Sequence, residues 1–193
     1  MTKHGWAIVA SGLLLLTIYV LRLDPIVGIM GDDAWYALLG RTLARGGSFL
    51  QPNTPTPGLL PIVPPGFPLL LAPLWVVAPE FPGNIFVLKA LSVVAMLATG
   101  GLTYLYARAR TDWPRELALA VGVAVALVPS LTFLATSTLM SDAVFLCVQL
   151  ATVVTLERWP THAGTVAAGA GAAVAVLMRS VGVAVPMGAV FYL

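Results

Sequence analysis

Five ionisable side chains in this chain stand where chemistry or strain must account for them. Asp32 and Asp33 are adjacent carboxylates shortly after the first long apolar run, and Lys89, Asp142 and Arg179 lie inside later apolar runs. Neighbouring acids at a helix start can cap it and complement its dipole, for about 1 kcal/mol, or can serve as a general base or metal ligand. Taken alone, the pair reads as a cap. An ion at mid-membrane costs about 2.5–3.5 kcal/mol on the insertion scale, so each of the other three requires a partner, a wet cavity or a place near the interface. For Lys89 and Asp142, snorkelling or a mutual ion pair accounts for as much as function does. Arg179 lies about 22 Å into its run at 1.5 Å per residue, and a guanidinium at that depth suits the clamping of a phosphate in a dry cavity. His4 and His162 have no metal partner at useful spacing, and Cys147 alone builds neither a disulfide nor a thiolate zinc site.

Composition says what must hold these groups. Of 193 residues, 59% are apolar and only 9% charged, with a mean hydropathy of +0.95. A soluble domain carries about 25% charged residues, so most of this surface must face lipid. The net charge of +2 is scattered and gives nucleic-acid binding no support. Apolar runs cover residues 6–21, 84–107, 117–136, 139–156 and 164–193. Each is continuous, without the alternation of a lipid-facing barrel strand, which leaves helices as the way to satisfy the backbone. The expectation is an all-α, polytopic membrane protein: one integral membrane domain over residues 1–193, with about five transmembrane helices of about 20 residues.

Lys3, Arg108, Arg110, Arg115, Arg158 and His162 fall on one side if the runs alternate in direction, and that side is expected to be cytoplasmic. Arg22-Leu23-Asp24-Pro25 offers no cleavage pattern after the first run, so it reads as a signal anchor in the plasma membrane. Residues 24–83 then form the outer-face segment. Within it, residues 33–45 have the spacing of a short amphipathic helix that Gly46-Gly47 ends. Seven prolines from Pro52 to Pro68 impose an extended path, the run 67–78 is too short to cross, and the Ala/Gly-rich stretch 163–175 reads as a tightly packed helix face.

Gly31-Asp32-Asp33-Ala34-Trp35-Tyr36, followed by Pro64-Pro65-Gly66-Phe67-Pro68-Leu69-Leu70, resembles the N-terminal part of the polytopic GT-C glycosyltransferases. The resemblance is nearest to the protein O-mannosyltransferase and lipid A aminoarabinose transferase group. Lys89 matches a basic residue near the outer end of a span in that group, and Gly169-Ala170-Gly171 through Arg179-Ser180-Val181-Gly182 matches a Gly-rich run ending in a basic residue and Gly. The resemblance implies transfer of a sugar from a polyprenyl-phosphate donor to a lipid, glycan or protein acceptor on the outer face, with inversion. By the same carry-over, Asp32 is the base, Asp33 orients the acceptor or helps hold a divalent metal, Tyr36 packs the loop, Arg179 stabilises the departing phosphate, and Lys89 belongs to the substrate site. The aminoarabinose transferases carry a Glu-Lys pair where this chain has Ile62-Val63, so that subfamily's sugar and acceptor are not carried over. The family's enzymes have more spans, and the chain stops in an apolar stretch, so it is expected to be the N-terminal part of a larger protein and inactive alone.

Two other classes compete. A transporter or lipid-flippase fragment would line one path with Lys89, Asp142 and Arg179, but no internal repeat supports it. In a non-catalytic assembly subunit, the acidic pair would be only a cap.

Overall fold

In a computed structural model, residues 3–50, 55, 56, 58 and 63–192 are described, and they are all-helical, with no strand among them. The helices are α1 (Lys3–Arg22), α2 (Asp32–Ala44), α3 (Gly66–Val77), α4 (Ile85–Arg110), α5 (Arg115–Ala126), α6 (Pro129–Ser137), α7 (Asp142–Arg158), α8 (His162–Met178) and α9 (Ala184–Tyr192), with a 3-10 turn at Ser180–Val183. The short helices α2 and α3 pack together at one end of the bundle. Gly40 brings α2 against Leu71 and Trp75 of α3, and Arg41 lies over the Trp75 ring at 5.6 Å. The opposite, basic end is tied by His4 to Tyr104 at 2.9 Å and by Arg110 to Glu157 at 2.6 Å.

Two helices, α1 and α4, are long and apolar enough to cross a membrane, and the bent pair α5–α6 would make a third. The expected count of about five is not reached. The run 139–156 becomes the 17-residue α7, which opens on Asp142 and closes on Glu157-Arg158. The run 164–193 is not one span but a hairpin: Gly182 packs back on the carbonyl of Ala175, and Arg110 at the basic end reaches the Tyr192 hydroxyl at 3.2 Å. Most of α1 is exposed, with Leu13, Leu14 and Leu21 at 58–80%. An apolar helix bare on most of its circumference needs a solvent other than water.

Each break in a helix has a chemical answer. Pro129 brings no N–H and pushes Val128 to an extended ψ of 120°, so α5 and α6 meet at 51°. The carbonyl of Ala126, freed by this bend, accepts the buried Tyr19 hydroxyl at 2.6 Å. Between α4 and α5 the backbones nearly touch: a Cβ on Gly100 would lie 3.0 Å from the Gly122 carbonyl oxygen. The Ala/Gly-rich face of α8 is packed as expected, with Ala168, Ala172 and Ala175 buried.

The amphipathic helix expected at 33–45 is α2, and the short run 67–78 is α3. Part of the proline segment, including Pro52, Pro57, Pro61 and Ile62, lies outside the described residues. Pro68 departs from the expected extended path. It sits in the first turn of α3, where a helix needs no N–H from it.

Candidate functional site

The loop from α1 to α2 is built by two aspartates acting on backbone. Asp24 accepts from the Ile26 amide at 3.0 Å, and Asp33 accepts from the amides of Gly28, Met30 and Ala34 at 2.9, 3.3 and 3.0 Å. Gly28 and Gly31 have φ of +103° and +76°, a region that favours glycine. Asp33 is fully buried and both its oxygens are engaged. Its geometry is that of a loop clasp, which leaves little for the acceptor-orienting or metal-holding role implied by the resemblance. Among the described residues, no three His, Cys, Asp or Glu side chains gather where they could hold a metal.

Asp32, one residue earlier, is different. Its side chain is half-buried and has no hydrogen bond or ion pair among the described residues. One turn on, Tyr36 lies on the same face of α2. Its hydroxyl is 3.2 Å from Ser141 Oγ, and its ring meets Phe67 edge-on at 5.2 Å. Burial pushes the Tyr36 hydroxyl above its usual pKa; Ser141 and the Arg179 charge oppose the rise, and the charges of Asp32 and Asp142 add to it. Three charges from α2, α7 and the α8 end therefore act on one buried hydroxyl.

Ser141 leads into Asp142, in the first turn of α7, and Asp142 Oδ1 pairs with Arg179 Nη1 at 2.5 Å. The other oxygen, Oδ2, is buried without a partner among the described residues. Arg179 is not inside a helix. It is the extended residue, φ −152° and ψ 143°, at which α8 stops and the hairpin turns. Gly66 closes the wall: a Cβ there would meet the backbone of Leu177 and Met178, so the start of α3 lies directly on the end of α8.

Lys89 stands apart, and both expectations for it are corrected. Its partner is Asp24, not Asp142. Fully buried, it donates to the Asp24 carbonyl at 2.8 Å, Asp24 Oδ1 at 3.0 Å and the Thr136 carbonyl at 3.0 Å. Three protons on three oxygens leave none for a substrate. Ser141 and Asp142 were not assigned to the site from sequence. An acid inside an apolar run was the available signal, but nothing in its spacing pointed to Arg179.

Fold and site define an all-helical protein with two or three helices able to cross a membrane and a charged cluster at the α2–α3 end. No protein-family profile matches the chain, and neither does any curated protein or solved structure.

Proposed function

We propose that the chain is a membrane-embedded glycosyltransferase that moves a sugar from a polyprenyl-phosphate donor to an acceptor hydroxyl on the face where α2 and α3 lie. The observation that carries this reading is the convergence, around the Tyr36 hydroxyl, of an unengaged carboxylate on Asp32 and the Arg179 cation at the hairpin tip. Displacement at an anomeric carbon needs those two groups. Asp32 takes the proton of the acceptor hydroxyl, whose oxygen attacks the sugar carbon from one side. The bond from that carbon to the phosphate oxygen breaks on the other side, with inversion. The phosphate leaves as an anion and needs no proton, only positive charge, which Arg179 provides. Asp142 holds Arg179 in place before the donor arrives. No step is assigned to a divalent metal.

In this reading α7 and α8, at 17 residues each, also cross, so that α1, α4, α5–α6, α7 and α8 make five passes of a plasma-membrane protein with the basic end and N-terminus in the cytoplasm, and the short α9 folds back toward the basic end. The transporter alternative draws no support from the charges, which form two separate pairs instead of lining one path.

The test is donor turnover: Asp32 and Arg179 both belong to this chain, so the proposal is that it turns over donor by itself, against the expectation of an inactive fragment. Purified protein in vesicles receives one labelled polyprenyl-phosphate hexose or pentose at a time, with a mixture of membrane lipids as acceptors. Appearance of free polyprenyl phosphate above empty vesicles is the expected result for one donor. No turnover of any donor, with the protein folded and inserted, overturns the reading.

A further inference from the structure

The basic end of the bundle carries a feature that sugar transfer does not use. An open hollow of about 250 Å³ there is lined by His4, Tyr104, Arg108, Arg115 and Arg158, drawn from α1, α4, α5 and the end of α7. Among the described residues, Arg115 and Arg158 have no ion pair, and Arg108 is engaged only by the Trp113 carbonyl at 2.8 Å. Among the acids nearby, none lines the hollow. Glu157 is taken by Arg110, while Asp112 and Glu116 do not line it. Orientation in a membrane requires only that basic residues lie on one side, not that three guanidinium groups from separate helices share one hollow.

Two further observations say what fits. Trp6, Trp113 and Trp159 are 62, 41 and 53% exposed at this same end, which sets the hollow at the level of lipid headgroups. Tyr104 also lines a second, apolar groove of about 220 Å³ between α1, α4 and α5, walled by residues such as Ile8, Leu15, Leu97 and Val123. Gly12 and Gly101 keep this groove open. A Cβ on either would touch nothing within 4 Å, so these glycines leave room instead of closing a contact.

We propose that the two cavities form one site for an anionic glycerophospholipid, with its phosphate among Arg108, Arg115 and Arg158 and one acyl chain in the groove beyond Tyr104. Arginine forks match phosphate oxygens, and basic pockets between membrane helices take such headgroups. The proposal rests on the membrane reading and not on the transferase one.

The test uses the full chain in detergent, offered equal amounts of phosphatidylglycerol and phosphatidylcholine, with retained lipid counted by native mass spectrometry. Wild type is expected to keep one phosphatidylglycerol in preference, and the Arg115→Gln/Arg158→Gln double variant to lose about tenfold to thirtyfold of that preference. Arg45→Gln, at the opposite end, should keep it. Gly101→Leu fills the groove and should lower retention with the arginines intact, which guards against a double variant that merely misfolds. Equal retention of both lipids by wild type, or an unchanged preference in the double variant, overturns the proposal. So does stabilisation by inorganic phosphate equal to that by the lipid, because the groove would then have no part. Flotation with vesicles reports the membrane reading separately.

Discussion

Asn in place of Asp32 is expected to cut the transfer rate by about 10²–10⁴-fold, the range for loss of a positioned general base, while the protein folds and inserts as before. The asymmetry follows from the loop. The Asp32 carboxylate holds no hydrogen bond or ion pair among the described residues, so an isosteric amide removes basicity and little else. Asp33 one residue later should behave in the opposite way. Its two oxygens engage the amides of Gly28, Met30 and Ala34, so Asp33→Asn should lower the yield of folded protein before it changes any rate constant. Initial rates of polyprenyl phosphate release in vesicles, normalised to the folded fraction from size-exclusion chromatography, separate the two. A wild-type rate in Asp32→Asn would remove Asp32 from the role of base.

Lys89→Met is expected to cost about 1–3 kcal/mol of stability, the range for leaving buried acceptors without a donor, because the Asp24 side chain is 29% exposed and water takes up part of the loss. Methionine fills a similar volume but leaves the carbonyls of Asp24 and Thr136 and the Asp24 carboxylate without their shared donor. Through Lys89 these oxygens tie the exit of α1 and the end of α6 to the start of α4, so the loss should spread to the loop that presents Asp32. Unfolding in mixed micelles with increasing sodium dodecyl sulfate measures it, and a midpoint equal to wild type would contradict the account.

Acid should show the same link. Burial opposes the charge on Asp24, but hydrogen bonds from Ser137, Lys89 and the Ile26 amide, with the ammonium charge, hold its pKa below the usual 3.8. A lowered folded pKa means that its stabilisation is complete above about pH 4 and is lost as pH falls through the lowered value. In Lys89→Met that acid-sensitive share should shrink, because the Lys89 hydrogen bond and charge are two of the four influences that lower the Asp24 pKa.

The helices were legible from sequence where local chemistry decides them. Unbroken apolar stretches gave α1 and α4, Gly46-Gly47 ended α2, and the short run after Gly66 was too brief to be a span. The hairpin after Met178 was not legible. Both of its arms are apolar, and what turns the chain is contact between Gly182 and the Ala175 carbonyl, which no periodicity records. Partner choice among buried charges escaped for a similar reason. Depth along a run showed that Lys89, Asp142 and Arg179 each needed compensation, but Asp24 reaches Lys89 only through the fold of a glycine-bearing loop, and Asp142 meets Arg179 only because α7 starts where α8 stops. The contrast between Asp32 and Asp33 turns on one residue of helical rotation. Sequence placed both at a helix start, and three-dimensional structure decides which one faces the loop amides.

The most direct test of the central claim, that a lipid-linked phosphate docks on Arg179 at the hairpin tip, needs no acceptor. A short-chain polyprenyl phosphate is titrated into purified wild type and Arg179→Gln in detergent, and heat of binding is recorded. The account predicts a single site whose affinity falls about tenfold or more in the variant, the scale for a lost charge-assisted hydrogen bond. Equal affinity in the two proteins would contradict it.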